Sequence, residues 1–476
     1  MIVLKHLSKA ALAACLAIAT LVPVAQASST QTTFFEAPRD LTAPGSTDAS
    51  RTAAFADFQT LGVKALRINM PWAGVAPTPD SATKPTFDAT DPAAYNWGNY
   101  ATVIDAAKAK GWKVLISLSS PVPKWATAAH TDYVTRPSAD EYKLFATAAS
   151  KRFGGPSVIW SIWNEPNLPT FLMPQVSGGK NVSGTIYRGL YIAGRDGIIA
   201  GGQASPTVLF GETAPVGGSH DGRTYPLAFL RSALCLTTKY KLDKSCGTKL
   251  TVSGIAHHPY QFSNSALKSD DVTYRNLSKL PTFLDKAAKG GAIQAKAPIY
   301  LTEFGIQSKP DRLLGVSQQK QLELRARVER EAYANTRIRG FSQYLLTDDN
   351  STGTCLSCYG GFETGLRLAI GDKAKLSFKA FELTLDAEPS SNKNSKKVSL
   401  WGLVRPATGA TTVVVEKRTS SKGTFKTWKK VKTKSNGAFT VSDPTGGTKS
   451  QYRYRWTSPT GKLTSPFVDV IPTPKA

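Results

Sequence analysis

Eight apolar runs, each bounded by Gly, Pro, Asn or other turn residues, recur along the first three quarters of the chain. They are "TTFFEA" (32–37), "VKALRIN" (63–69), "WKVLISL" (112–118), "SVIWSIW" (157–163), "TVLFGE" (207–212), "VSGIAHH" (252–258), "PIYLTEF" (298–304) and "GFSQYLL" (340–346). Most are β-branched or aromatic and apolar on both faces, the pattern of parallel strands covered on two sides. Stretches such as "NYATVIDAAKAKG" and "SADEYKLFATAASKRFG" lie between them with helical spacing, each closed by Gly. Eight strands, each followed by a helix, predict an α/β chain folded as a (β/α)8 (TIM) barrel. A doubly wound open sheet is the alternative, but no Gly-rich phosphate turn follows the first strand.

The pattern then changes. "AEPSSNKNSKK" (387–397) has no apolar periodicity and reads as a linker. Beyond it "VSLWGLV", "TTVVVEKR", "TWKKVKTK", "GAFTVS" and "QYRYRW" alternate between turn residues, predicting a small all-β sandwich. The expected organisation is a signal segment (1–27), a barrel (28–386), a linker (387–397) and a sandwich (398–476).

The signal segment rests on "MIVLKHLSKAALAACLAIATLVPVAQA": a basic start, an apolar middle and the small-x-small end Ala25-Gln26-Ala27. Lipidation at Cys15 is the rival, with too few apolar residues after Lys9 to favour it. No later stretch is long and apolar enough to span a membrane. A secreted chain, cell-wall associated or free, is expected. After cleavage Cys235, Cys246, Cys355 and Cys358 remain. An even count in an exported chain favours the disulfides Cys235–Cys246 and Cys355–Cys358. The second pair is also a C-x-x-C, but "STGTCLSCYGG" is a turn-rich loop rather than the start of a redox helix. The five histidines have no metal spacing, so neither metal nor cofactor is expected.

A net charge of +25 raises the question of nucleic acid. From residue 391 onward, however, 17 Lys and Arg stand against Glu416, Asp443 and Asp469, an excess of 14 in the tail. On an exported module this basic surface suits an acidic wall polymer or anionic polysaccharide better than nucleic acid.

Barrel enzymes gather their chemistry at the C-terminal ends of strands. Glu165, in "WNEPN", follows strand four, and Glu303, in "TEFG", lies near the end of strand seven. Arg67 comes late in strand two; His258 and Tyr260, in "AHHPY", end strand six. For Glu165 alone a helix cap or buried ion pair would explain as much. Two glutamates on different strand ends fit glycoside hydrolysis, which needs one carboxyl to protonate the leaving oxygen and another to attack or to activate water.

"WNEPN" at strand four with "TEFG" at strand seven resembles the clan A glycoside hydrolases over the whole barrel, nearest family 39, with family 5 also close. That resemblance implies a retaining enzyme acting on a carbohydrate, with carboxyls about 5 Å apart. It makes Glu165 the acid/base and Glu303 the nucleophile. Asn164 would bond the sugar 2-hydroxyl, Arg67 would hold Glu303 as a carboxylate, Tyr260 would orient it, and His258 would contact substrate or that network. Arg67 could instead bridge barrel layers, and His258 could be a satisfied core histidine. The strand-eight Trp usual in the clan is missing, with Gln343 and Tyr344 in its place. Tyr344, Trp72 and Trp125 are then candidates to stack on sugar, although the tryptophans could equally be packing. The alternatives are a non-catalytic carbohydrate- or wall-binding protein on the same barrel, and an adhesion protein dominated by its tail.

Overall fold

The computed structural model describes residues 31–218, 222–261, 266–349 and 361–472. The expected signal segment, Cys15 and the Cys355–Cys358 pair lie outside these residues.

Eight strands close a parallel barrel in chain order: β1 (Thr32–Glu36), β2 (Ala65–Pro71), β3 (Lys113–Ser119), β4 (Val158–Ile162), β5 (Thr207–Thr213), β6 (Gly254–His257), β7 (Ile299–Leu301) and β8 (Ile338–Tyr344). β8 closes on β1 with Gly340 opposite Thr32. The surrounding helices are α1 (Asp48–Thr60), α2 (Gly98–Ala109), α3 (Ala139–Phe153), α4 (Ser183–Ala200), α5 (Pro226–Ala233), α6 (Lys279–Lys289), α7 (Gln318–Ala334) and α8 (Leu376–Glu382). Their starts follow the capping logic of the sequence. Thr47 and Ser50 form a capping box before α1, and Ser138 accepts the Glu141 amide at the start of α3. Among the described residues no helix is long and apolar enough to cross a membrane.

Side chains alternate between the inside and outside of the barrel wall. Phe34, Ala65, Leu115, Leu209 and Ala256 form the lower layer, with the Tyr300 ring packed among them. That ring fits because Gly254 and Gly340 flank it; a Cβ on either would come within 2.7 or 2.6 Å of it. Two residues further along β2, β3 and β4 the inward positions become Arg67, Ser117 and Ser161, all buried. The barrel is therefore apolar at its base and polar towards the C-terminal ends of its strands.

The C-terminal part is two packed antiparallel sheets. One is β9 (Leu383–Pro389), β10 (Val398–Val404) and β13 (Ala438–Asp443), in the order β9-β10-β13. The other runs β12 (Lys426–Lys432), β11 (Thr412–Arg418), β14 (Gln451–Ser458), β15 (Gly461–Thr464), with the two-residue β16 (Val468–Asp469) also on β14. Between the sheets lie Leu385, Leu400, Val413, Val415, Tyr452, Tyr454 and Trp456.

The expected linker at 387–397 is corrected here. Residues 387–389 end β9, where Ala387 pairs with Leu400, and the rest is the loop of the β9–β10 hairpin. This sheet lies against α7. Arg327 Nε bonds both carboxylate oxygens of Asp386 at 2.9 and 3.0 Å, and Arg330 Nη1 reaches the same carboxylate at 2.8 Å. Arg405 pairs with Glu329, which Arg325 also holds at 3.0 Å. Tyr333 and Trp401 pack with ring centroids 5.4 Å apart. Losing either partner of such a buried pair strands a charge out of water, so this is a fixed joint rather than a tether.

Candidate active site

The open end of the barrel carries four glutamates, an arginine and a histidine in one hydrogen-bonded cluster. Just past β4 the chain turns through left-handed conformations at Trp163 (φ 74°) and Glu165 (φ 40°), and the Glu165 amide donates to Glu212 O at 2.9 Å. Glu165 caps no helix, since the next one, α4, starts at Ser183. Its side chain, 14% exposed, accepts instead from His258 Nδ1 at 2.9 Å. Backbone strain of this kind survives only where the surroundings impose it, and it gathers at functional rims.

Glu303 lies two residues beyond β7 with its side chain 10% exposed. Arg67 Nη1 donates to its Oε1 at 2.6 Å and the Tyr260 hydroxyl to its Oε2 at 3.1 Å. One carboxylate oxygen of Glu165 and one of Glu303 lie within 4.8 Å of each other.

Arg67 does more than pair with Glu303. Its fork also donates to Glu36 at the end of β1, to Asn164 Oδ1 at 2.8 Å and to Glu212 Oε2 at 3.0 Å. Glu212 sits in a bulge that interrupts the β5–β6 register, with Gly211 at φ 117° and Glu212 at φ 48°. Bulges at a barrel rim re-aim side chains; this one turns a carboxylate inward. There it accepts from His258 Nε2 at 2.7 Å, Thr302 Oγ1 at 2.8 Å and Ser117 Oγ at 3.1 Å.

Burial and charge pull these groups apart in acidity. Burial alone would raise the pKa of Glu212; the charge of Arg67, then the bond and charge of His258, outweigh it and bring it down to about 2. Glu36 goes the other way. Burial raises it to about 8, because Arg67 offsets only part of that cost and Glu303 adds repulsion. Burial also raises Glu165, opposed by the hydrogen bond from His258. For His258 burial works against the cation, but Glu303, Glu165 and Glu212 prevail and raise it to about 10. Among the described residues the adjacent His257 bonds no carboxylate. It bonds Thr213 Oγ1 and Val272 O, both at 2.8 Å, and burial takes it down to about 3. Two neighbouring histidines thus end as one neutral packing group and one buried cation. Glu165, His258 and Glu303 are close enough to hold a metal ion by distance. A histidine ligand must be neutral, however, and His258 faces carboxylate oxygens through both nitrogens.

Residues 26–175 match the model of the cellulase family, glycosyl hydrolase family 5. Over that stretch the chain is similar to glycosyl hydrolase family 5, a clan A family. Family 5 is one of the two families that the sequence resembles. The matched segment includes Arg67, Asn164 and Glu165; Glu303 lies beyond it. No curated protein is significantly similar to the chain. Among solved structures, β-glucuronidase 2 of Bacteroides uniformis, covalently bound to cyclophellitol-6-carboxylate aziridine, is 12% identical with a TM-score of 0.46. The alignment covers 93% of this chain and 46% of that one, so the chain spans just under half of that enzyme's length. A glucosidase of Croceicoccus marinus is 11% identical with a TM-score of 0.47, covering 90% of this chain and 94% of that one. A β-glucuronidase of Ruminococcus gnavus in complex with D-glucuronic acid is 13% identical with a TM-score of 0.40, covering 74% and 48%.

Within the barrel, Glu165, Glu303, Asn164, Arg67, His258 and Tyr260 come together in one cluster. Tyr344, at the end of β8, joins it through Tyr260 (centroids 6.3 Å apart) and Phe362 (5.0 Å). Gln343 instead is buried, accepting from Arg325 Nε at 2.7 Å. The two tryptophans are corrected. Trp72 is wholly buried and stacked on Phe145 at 5.2 Å, and Trp125 packs edge-on against it while bonding Pro77 O. Neither offers an open ring to a sugar. Sequence reasoning misses Glu36 and Glu212. Each is a carboxylate closing an apolar strand, the same signal that marks Glu165. Cys235 and Cys246 are joined, with Cα atoms 5.5 Å apart.

Proposed function

We propose that the protein is an exported glycoside hydrolase that cleaves O-glycosidic bonds of a polysaccharide or oligosaccharide with retention of configuration. The observation that carries this reading is the approach of Glu165 and Glu303 to within 4.8 Å on opposite sides of a polar rim. Retaining enzymes need roughly 5–5.5 Å between carboxyls, whereas inverting ones leave about 6.5–9.5 Å for a water.

In the first step Glu303 attacks the anomeric carbon while Glu165 gives its proton to the leaving oxygen. A covalent glycosyl ester forms and the glycosidic C–O bond breaks. In the second step Glu165 takes a proton from water, which attacks the same carbon and frees Glu303. The electrostatics favour both halves. Burial, with the negative charge of Glu303, raises the pKa of Glu165 and so favours its acid form at the start. Esterification removes that charge, so the acidity of Glu165 rises as its role changes to base. Arg67 accounts for the acceptor side of Asn164, leaving its amide N–H to meet the sugar 2-hydroxyl. Tyr260 steadies Glu303, and Tyr344 with Phe362 lines the sugar site where the clan usually has a Trp.

Hydrolysis of a panel of aryl glycosides and polysaccharides tests the activity. No turnover on any of them by folded protein would count against it. N-terminal sequencing of protein recovered outside the cell tests export, with Ser28 expected as the first residue.

A further inference from the structure

We propose that the outward face of the β12-β11-β14-β15 sheet is a docking surface for a polysaccharide carrying carboxylate groups. The choice of a carbohydrate partner rests on the glycosidase reading above.

Strand pairing fixes which side chains share this face. On β14, Tyr452, Tyr454 and Trp456 point into the core, so Arg453 and Arg455 point outward. Lys430 of β12 pairs with Val414, which pairs with Arg455. Lys432 pairs with Thr412, and Lys462 of β15 with Thr457. Lys430, Lys432, Arg453, Arg455 and Lys462 therefore share one side, within roughly 14 Å across the strands at about 4.8 Å per strand. Facing them on β11 is Glu416, its side chain 8% exposed, which accepts from Arg453 Nε at 2.7 Å and Arg455 Nε at 2.8 Å. One carboxylate thus holds two guanidinium groups in place without cancelling both charges. Lys430, Lys432 and Lys462 make no ion pair among the described residues. The other acid, Asp469 at the margin, is bonded by Gln451.

Lysines on an edge strand commonly guard it against pairing with other strands. That explains Lys430 and Lys432 on β12, but not Arg453 and Arg455, which lie on a strand paired on both sides. The opposite sheet is committed to α7, so this face is the one turned to solvent. Fixed guanidinium forks match carboxylates well. The rings at the margin, Phe425 and Phe467, are covered by Arg418 and Arg453 with 4.4–5.0 Å to the centroids. The face thus offers charge rather than open rings, which disfavours nucleic-acid bases and neutral sugars that bind by stacking.

The test uses the full chain and the triple variant Lys430→Glu, Lys432→Glu, Lys462→Glu, with polygalacturonate as the probe in affinity electrophoresis. All three lysines are exposed, so the melting temperature should not change. The parent should be retarded by polygalacturonate and released by salt, and the variant should bind at least about tenfold more weakly. Equal retardation of both proteins, equal retardation by dextran, or tighter binding to duplex DNA would overturn the proposal. Aryl-glycoside hydrolysis is measured separately on both. Binding without hydrolysis defeats the enzymatic reading alone, and hydrolysis without binding defeats only the docking surface.

Discussion

Replacing Glu36 by glutamine should make the protein more stable in mild base and almost unchanged in mild acid. Glu36 is buried beside Arg67, and burial raises its pKa from the ordinary 4.5 to about 8. A carboxyl with a raised folded-state pKa gives its full stability below pH 4.5 and loses it as pH rises towards 8. The window spans 3.5 pH units, and at 1.36 kcal/mol each the loss is on the order of 5 kcal/mol. The glutamine side chain keeps a neutral acceptor for Arg67 and has no proton to lose, so the variant escapes that loss. For a chain of this length the unfolding entropy is roughly 0.9 kcal/mol/K, which converts the difference to about 5 °C. Thermal melts of both proteins at pH 5 and pH 8.5 are the assay. The difference in Tm should be near zero at the lower pH and about 5 °C in favour of Glu36→Gln at the higher. Above pH 8 ionised Glu36 also competes for Arg67, so the variant should hold its kcat/KM further into base. The same Tm offset at both pH values would refute the reasoning, because Glu36 would then keep one charge state throughout.

Three further outcomes follow from the same geometry. Glu212→Gln removes the acceptor that Arg67 and His258 share, so kcat/KM should fall at least about tenfold at neutral pH, and a 15N-resolved titration should place His258 below the parent's value of about 10. Gly211→Ala puts a Cβ 2.7 Å from Ala256 O at a φ of 117°, so it should lower Tm and lose activity by displacing Glu212; unchanged melting and kinetics would mean that the bulge is not required. Arg327→Ala leaves Asp386 in the joint with Arg330 as its remaining cation and should cost about 1.5–3 kcal/mol in chemical denaturation, and removal of residues 383–476 should give a barrel that melts earlier or aggregates.

The barrel is legible in the sequence because a parallel strand covered on both faces must be apolar throughout, and all eight strands fall within two or three residues of their expected places. Glu165 and Glu303 are legible as a pair: either alone could be a cap or an ion-pair partner, but two carboxylates closing different strands at one end of a barrel fit a single reaction. Glu36 and Glu212 meet the same criterion, yet in "TTFFE" and "TVLFGE" the apolar part alone carries the strand pattern and the closing acid passes as its edge. What hides Glu212 further is the Gly211 bulge, since its inward turn depends on a break in register that no alternation pattern reveals. The end of β9 is hidden for a related reason. Asp386 looks like a solvated residue at a domain edge, but Arg327, 59 residues earlier in the chain, neutralises it inside the joint. Trp72 and Trp125 show the opposite limit: a Trp near a strand end is equally consistent with a sugar platform or a core, and only the depth of Phe145 and Pro77 around them decides.

The central claim is that Glu165 and Glu303 act in turn on one anomeric carbon, and azide rescue tests it most directly. An aryl glycoside that the parent hydrolyses is offered to Glu165→Ala and to Glu303→Ala with azide in solution. Azide should restore turnover in Glu165→Ala by attacking the glycosyl ester on Glu303, giving a glycosyl azide of retained configuration. In Glu303→Ala it can act only in place of the nucleophile, so any product should be inverted. Near-parental rates in both variants without azide, or retained product from Glu303→Ala, would contradict the account.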